Sequence, residues 1–206
     1  YPLTRRIAKP VLPFGGSYRV IDFTLSNCIN SDVRRIFVFT QYKALELTRH
    51  IRDGWSILSG DLGEFIEVIP PMKRIHEDWY LGTADAVYQN IESIIADRPE
   101  HVLVLSADHI YKMDYSELLE NHHEHGSGVT LATIQMHPDE APRFGVVEME
   151  EGGRVLGFEE KPKHGAPTRS VFNPDAISVS MGVYLFETEV LIRALMEDSQ
   201  NPNSTH

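Results

Sequence analysis

An α/β fold with a mostly parallel mixed sheet flanked by helices is what this sequence predicts. Three observations lead there. Strand-like and helix-like segments alternate through the first half of the chain, the pattern that builds parallel sheet with helices on both faces. The second half turns to successive strands with one tight turn, which adds an antiparallel part. The chain has 206 residues, 42% hydrophobic and 24% charged, an ordinary composition for one large globular domain that buries about 70% of its unfolded surface.

Each element has its own signal. "RIFVFT" at 35–40 reads as a buried strand, and a helix follows over 43–53 with Leu47 and Ile51 at apolar spacing. "EFIEVI" at 64–69 alternates as a second strand. Over 83–97, Ala84, Val87, Ile91, Ile94 and Ile95 recur at helical spacing. Gly82 permits a tight start to that helix, Thr83 can cap it, and Asp85 suits its positive end. The strand "HVLVLS" at 101–106, read as buried over 102–106, comes next. Asp114 and Glu117 resemble a capping box that opens another helix, and Gly126 stops it. "GVTLATIQM", "FGVVEME", "RVLGFEE" and "SMGVYLFE" then read as strands, with "EEGG" at 150–153 as a hairpin turn. Residues 161–176, with three prolines, a glycine and a serine, read as a surface loop, and a last helix covers 188–198.

Composition excludes several functions. The formal net charge is −11, which opposes sequence-independent binding to nucleic acid or a membrane surface, since both want a basic face. A few lysines and backbone amides can still hold a small anion. No apolar run reaches membrane-spanning length, and no basic-apolar leader opens the chain. The single cysteine, Cys28, has no internal disulfide partner. It fits a reducing, cytoplasmic setting and packing as a small apolar residue near a helix end. His122, His123 and His125, at spacing unlike a zinc site, read as a solvated helix terminus. Tyr1 at the start and the polar "NPNSTH" at the end look like cuts through something longer.

Four motifs carry candidate chemistry, and each has an ordinary structural reading beside it. Asp108 lies just past "VLVLS", at the carboxyl end of a strand, where open α/β sheets bind ligands. A carboxylate there can hold Mg²⁺ together with phosphate oxygens, or it can serve as a turn or cap. Lys9 lies in "AKPVLPFGG", where Pro10 and Pro13 stiffen the loop and Gly15–Gly16 turns it. It suits phosphate neutralisation, or is a solvated surface lysine. "WYLGTADA" at 79–86 places aromatics and a glycine before a helix N-terminus, as a base or anion site or as a helix start with core aromatics. "FEEKP" at 158–162 sets Glu160 beside Lys161 at a strand end, as charged ligands or as an exposed edge closed by proline.

Taken in order, "AKPVLPFGGSYRVIDFTLSNCINSDVRRIFVFTQYKALEL", "GEFIEVIPP", "EDWYLGTADAVYQN", "SADHIYKMDY", "FGVVEME", "FEEKP" and "SMGVYLFE" resemble the catalytic domain of bacterial ADP-glucose pyrophosphorylases, across essentially the whole chain. The resemblance implies a Rossmann-like nucleotidyltransferase domain over 1–206. The reaction implied is transfer of the adenylyl group of ATP to α-D-glucose 1-phosphate, giving ADP-glucose and pyrophosphate for glycogen- or starch-type synthesis. It implies Asp108 as the Mg²⁺ ligand and Lys9 as the lysine on the ATP phosphates. Lys161 is implied on the sugar phosphate, and Tyr80, Gly145, Glu160 and Ser180 at the sugar. Gly82, Thr83 and Ala84 are implied along the nucleotide. His109 to Tyr115 would seat Asp108 and lead into the next helix.

The family also brings small-molecule effectors, with Arg6 and Arg19 at positions bordering their site, and a homotetramer. This chain departs from the family pattern at four places. Ile7 replaces a basic residue, and Ala107 replaces the usual glycine before the metal aspartate. The Gly-rich ATP loop would precede "PLT". A second metal aspartate and a β-helix domain would follow His206, so the fragment alone is expected to be nearly inactive. Two alternatives stand beside this reading: a non-catalytic regulatory subunit, against which Lys9, Asp108 and Lys161 argue, and a pyrophosphorylase for another nucleotide sugar.

Overall fold

The computed structural model describes residues 7–41, 44–70, 80–201 and 204. Lys9–Val11 forms one 3₁₀ turn, with Pro10 at a position where its missing N–H costs nothing. The antiparallel pair β1 (Pro13–Phe14) and β2 (Tyr18–Arg19) follows, where sequence reasoning saw only a stiff loop. Gly15 and Gly16 make its turn at φ +58 and +95, which a side chain would resist.

Then come α1 (Ile21–Asn30), β3 (Arg35–Phe39), α2 (Ala44–Gly54) and β4 (Phe65–Ile69). Next are α3 (Thr83–Gln89), α4 (Ile91–Ile95), β5 (His101–Leu105), α5 (Tyr115–His125) and β6 (Val129–Met136). The hairpin of β7 (Gly145–Met149) and β8 (Val155–Glu160), the long strand β9 (Ile177–Glu187) and α6 (Thr188–Ser199) complete the order.

The α/β expectation holds, with mixed sheets flanked by helices, but the expectation of mostly parallel pairing does not. Among the described strands only β3 and β4 pair in parallel, from Arg35 opposite Phe65 to Phe39 opposite Ile69. The five-stranded sheet is antiparallel at each of its pairings and is organised around β9. One edge of β9 takes β6; the other takes β5 beside Val183–Glu187 and β7 at Val179. The physical reason is an insertion. β5, α5 and β6 form the crossover that alternation predicts, and β5 and β6 do run parallel. A later strand, β9, lies between them and faces both in the opposite sense.

Two further corrections have local causes. The helix expected over 83–97 breaks at Asn90 (φ −112, ψ 14) into α3 and α4. The Asn90 amide donates to the Ala86 carbonyl and to the Tyr80 hydroxyl, so it competes with the helical backbone. The strand β5 is half-buried along its length rather than fully buried. Among the described strands it has only β9 as partner.

Other expectations stand. Asp114 caps α5 by accepting the Ser116 N–H at 2.9 Å, and Gly126 ends that helix at φ +55. Glu150 accepts the Gly153 N–H at 2.9 Å in the hairpin turn. Cys28 is buried near the end of α1, against Tyr115, Leu118, Ala132 and Val183. A second apolar cluster places Val11 against Ile21, Leu25, Leu47 and Ile51, with Ala8, Trp55 and Ala107 alongside. That cluster fixes where Lys9 and Asp108 emerge. Among the described residues no helix is long and apolar enough to cross a membrane.

Candidate active site

Asp108 leaves the carboxyl end of β5 after the two-residue link Ser106–Ala107. Ser106 donates its hydroxyl to Asp108 Oδ1 at 2.7 Å, and Lys9 Nζ lies 3.3 Å from Asp108 Oδ2. The His109 Nε2 is 3.8 Å from Oδ1, and the other ring nitrogen meets the Met181 carbonyl at 3.1 Å. Burial alone would push the Asp108 carboxyl upward. The hydrogen bonds from Ser106 and Lys9, with the charges of Lys9 and His109, outweigh it and hold the group below the ordinary aspartate value. Asp108 is therefore an ionised carboxylate at neutral pH, partly desolvated, beside a cation brought from ninety-nine positions earlier (108 − 9).

The loop carrying Asp108 is held from below by α1. Thr24 donates to the Ser106 carbonyl at 3.2 Å. Asn27 donates to the Tyr111 carbonyl at 3.1 Å and accepts the Met113 N–H at 3.4 Å. Ser31 accepts the Tyr115 N–H at 2.8 Å, and the Tyr111 and Tyr115 hydroxyls share a bond of 2.7 Å. Burial pushes both phenols upward, so both stay neutral and serve as props.

A line of contacts runs from Asp108 across the sheet to the second charged group. The Ser106 N–H donates to the Gly182 carbonyl, and the Gly182 N–H donates to Ser180 Oγ at 3.1 Å. Gly182 adopts φ +69, and an added Cβ would stand 3.5 Å from the Ser106 side chain. Ser180 also bonds the Tyr184 hydroxyl at 2.8 Å. Next to Ser180, Val179 pairs with Val146, and Gly145 pairs with Glu160. A Cβ at Gly145 would collide with the Phe158 ring and press on the Glu160 carboxylate, so a side chain there would have to push both aside. Lys161 follows at φ +48, a left-handed conformation for a residue with a side chain. Its N–H donates to the Phe144 carbonyl at 3.1 Å, and its ammonium pairs with Glu160.

The remaining expected residues lie apart from this line. Tyr80 is buried; its hydroxyl accepts from Asn90 at 2.9 Å and its carbonyl from Gln41 at 2.5 Å. Asp85 accepts from the Leu81 N–H and from Gln89, which fixes the turn at Gly82, Thr83 and Ala84. Among the described residues no hydrogen bond or ion pair joins this segment to Asp108 or Lys161. Arg19 lines an open cavity of about 520 Å³ with Val11, Glu46, Arg49, His50, Asp53 and Gly54. Arg6 lies outside the described residues.

Sequence reasoning passed over Ser106, Gly182 and the α1 side chains Thr24, Asn27 and Asp22. Polar residues on an otherwise apolar helix, as in "IDFTLSN", were the available signal. His122 is a correction. It is 2% exposed rather than solvated, bonded to Thr130 Oγ1 at 2.9 Å, with the His101 and His123 rings beside it. Residues of β5 and β6 cover the end of α5, which the helix sequence alone does not reveal.

The α/β fold sets a carboxylate–lysine pair at a strand's carboxyl end, where open α/β sheets bind ligands. The chain belongs to the Nucleotidyl transferase family, whose family profile matches residues 1–206. At 57% identity over 100% of the chain it is similar to a protein of Koribacter versatilis named glucose-1-phosphate adenylyltransferase. Proteins with the same name from Rhodopirellula baltica (48% identical over 100% of the chain) and Paramagnetospirillum magneticum (50% over 99%) are also similar. The chain spans about half the length of these relatives: 49%, 46% and 47%.

Proposed function

We propose that these residues form the catalytic domain of a glucose-1-phosphate adenylyltransferase, which joins ATP and α-D-glucose 1-phosphate into ADP-glucose and releases pyrophosphate. The observation that supports it most is the Lys9–Asp108 pair at the end of β5, joined by hydrogen bonds and strand pairing through Gly182, Ser180 and Gly145 to Glu160 and Lys161. Two separated charge sites suit two phosphorylated substrates. The relatives' printed name supplies the substrates.

In this reading a sugar phosphate oxygen attacks the α-phosphorus of ATP, the bond to the bridging oxygen breaks, and pyrophosphate leaves with the electron pair. The protein's part is positioning and charge neutralisation. Lys9 neutralises ATP phosphate charge. Lys161 holds the sugar phosphate, and Glu160, Ser180 and the bare Gly145 backbone orient the sugar, with Tyr80 as a buried wall. Gly82, Thr83 and Ala84 border the nucleotide.

A metal fits the chemistry of Asp108, because Mg²⁺ takes one or two carboxylates and completes its shell with phosphate oxygens and water. Bound there, it would supply charge neutralisation at the phosphates. Lys9 shares that carboxylate when substrate is absent, and the triphosphate would draw it away. Arg19 and its cavity suit a small anionic effector. A cytoplasmic homotetramer, with residues 1–206 as one domain of the longer protein, completes the proposal.

The test is an assay of the full-length protein with ATP, UTP and GTP against glucose 1-phosphate. Pyrophosphate release dependent on Mg²⁺, ATP and glucose 1-phosphate is the expected result. Absence of turnover, or preference for UTP or GTP, overturns it. The isolated 206-residue chain is expected to give little or no turnover.

A further inference from the structure

We infer that Asp22 is a positioning residue for Lys9, tying the Lys9 segment to α2 through three hydrogen-bond donors. This rests on the proposed role of Lys9 at the ATP phosphates. Asp22 sits in the first turn of α1 and is 7% exposed. Its Oδ2 accepts the Arg19 N–H at 2.7 Å. Its Oδ1 meets His50 Nε2 at 2.6 Å and accepts the Trp55 indole N–H at 2.8 Å. The three partners come from three places: the end of β2, the body of α2 and the residue after α2.

A helix start alone does not call for this. A serine, threonine or asparagine caps a first turn with one acceptor. Only a carboxylate offers two oxygens and about four lone-pair directions, which three converging donors need. Burying that carboxylate is costly unless both of its oxygens are bonded, and here both are.

The link to Lys9 is short. The Val20 N–H donates to the Leu12 carbonyl at 3.1 Å, and the Leu12 N–H donates to the Lys9 carbonyl at 3.0 Å. Val11, inside the same turn, packs with Ile21, Leu47 and Ile51, and Trp55 and Ala107 touch that cluster. Asp22 therefore fixes β2 against α2, and the two together set where the Lys9 turn stands relative to Asp108. Loss of the carboxylate leaves the fold's apolar contacts in place but frees this turn to shift.

A double-mutant cycle in the full-length protein tests it. Mg·ATP binding is measured by calorimetry, without sugar phosphate, for the wild type, D22N, K9A and the double variant. D22N is expected to weaken ATP binding about tenfold, and the double variant to bind within about twofold of K9A. The KM for glucose 1-phosphate should stay within about twofold in D22N. W55F, which removes one donor and keeps a ring, should lose about threefold. It replaces D22N in the cycle if D22N does not fold. Additive losses in the double variant, or unchanged ATP affinity in D22N, overturn the inference. Glucose 1-phosphate turnover is read separately. Wild-type protein that binds ATP but gives no turnover sinks the proposed reaction while leaving the cycle readable. Wild-type protein that binds no ATP sinks both.

Discussion

The two charged pairs of the candidate site are built in opposite ways. Lys9 and Asp108 come from segments far apart in sequence; the Asp108 side chain is 30% exposed and the Lys9 side chain 68%. Helix α1, Ser106 and the apolar cluster around Val11 all bear on their placement. Glu160 and Lys161 are chain neighbours, and both side chains are more than half exposed, at 59% and 55%. Their placement comes from the backbone: Lys161 is turned out of its strand at positive φ, and Gly145 clears the space opposite. In the first pair the carboxylate is held in place before any ligand arrives, while the lysine reaches it from solvent. The second is a surface pair that a phosphate can open, by taking the ammonium from Glu160 at small cost because solvent already screens the pair.

This difference can be broken at the strongest point first. Asp108→Asn removes the one carboxylate of the first pair and should lower kcat by about 10²–10³, with modest change in either KM, in steady-state assays of the full-length protein. Lys161→Gln should raise the KM for glucose 1-phosphate by about ten- to a hundredfold, the worth of one charge-assisted bond, and leave the KM for ATP within about twofold. Equal effects on the two substrates would show that the pairs do not serve separate phosphates. Ser106→Ala should cost less, about three- to tenfold in kcat/KM, because it removes one hydrogen bond and leaves the Asp108 carboxylate itself in place.

Away from both pairs, His122 predicts a pH effect on stability alone. Burial, with the neighbouring His101 and His123, lowers its value below the ordinary 6.5, although Glu187 pulls the other way. The unfolded chain therefore binds the proton more readily than the folded one. Stability is full above about pH 6.5 and falls as the pH drops below it. Thermal melts between about pH 7.5 and 5.5 should show Tm falling by a few degrees, and His122→Asn should flatten that fall. The smallest effect concerns Cys28. Burial pushes its thiol up to about 12, so at neutral pH it is protonated and enclosed. Thiol labelling should proceed only at the rate of unfolding, with no loss of activity before then.

The sequence revealed those parts that depend on neighbours in the chain. The cap at Asp114, the stop at Gly126, the hairpin at 150–153 and the strand leading to Asp108 rest on local chemistry, and each was readable. Asp108 and Lys9 were separately ambiguous between ligand and ordinary surface roles. Their approach to 3.3 Å belongs to the packing of Val11 against Ile21, Leu25 and Leu47, which no spacing rule encodes. The break at Asn90 escaped notice because an amide that bonds back to Ala86 and across to Tyr80 looks like any polar residue on a helix. The pairing sense failed for a similar reason. Alternation orients β5 and β6 correctly, but nothing near them announces that β9 will come between.

That late strand has a consequence for how the chain is made. Ribosomal synthesis delivers β5 and β6 well before the strand that bonds them, and β7, paired early with β8, keeps its other edge open until Ile177–Glu187 emerges. The sheet closes in one event of high contact order, near the end of this segment's synthesis. The nascent chain thus carries apolar strand edges through most of its emergence. Translational pausing or chaperone capture before residue 177 should govern yield more strongly than any change in the strength of the finished core.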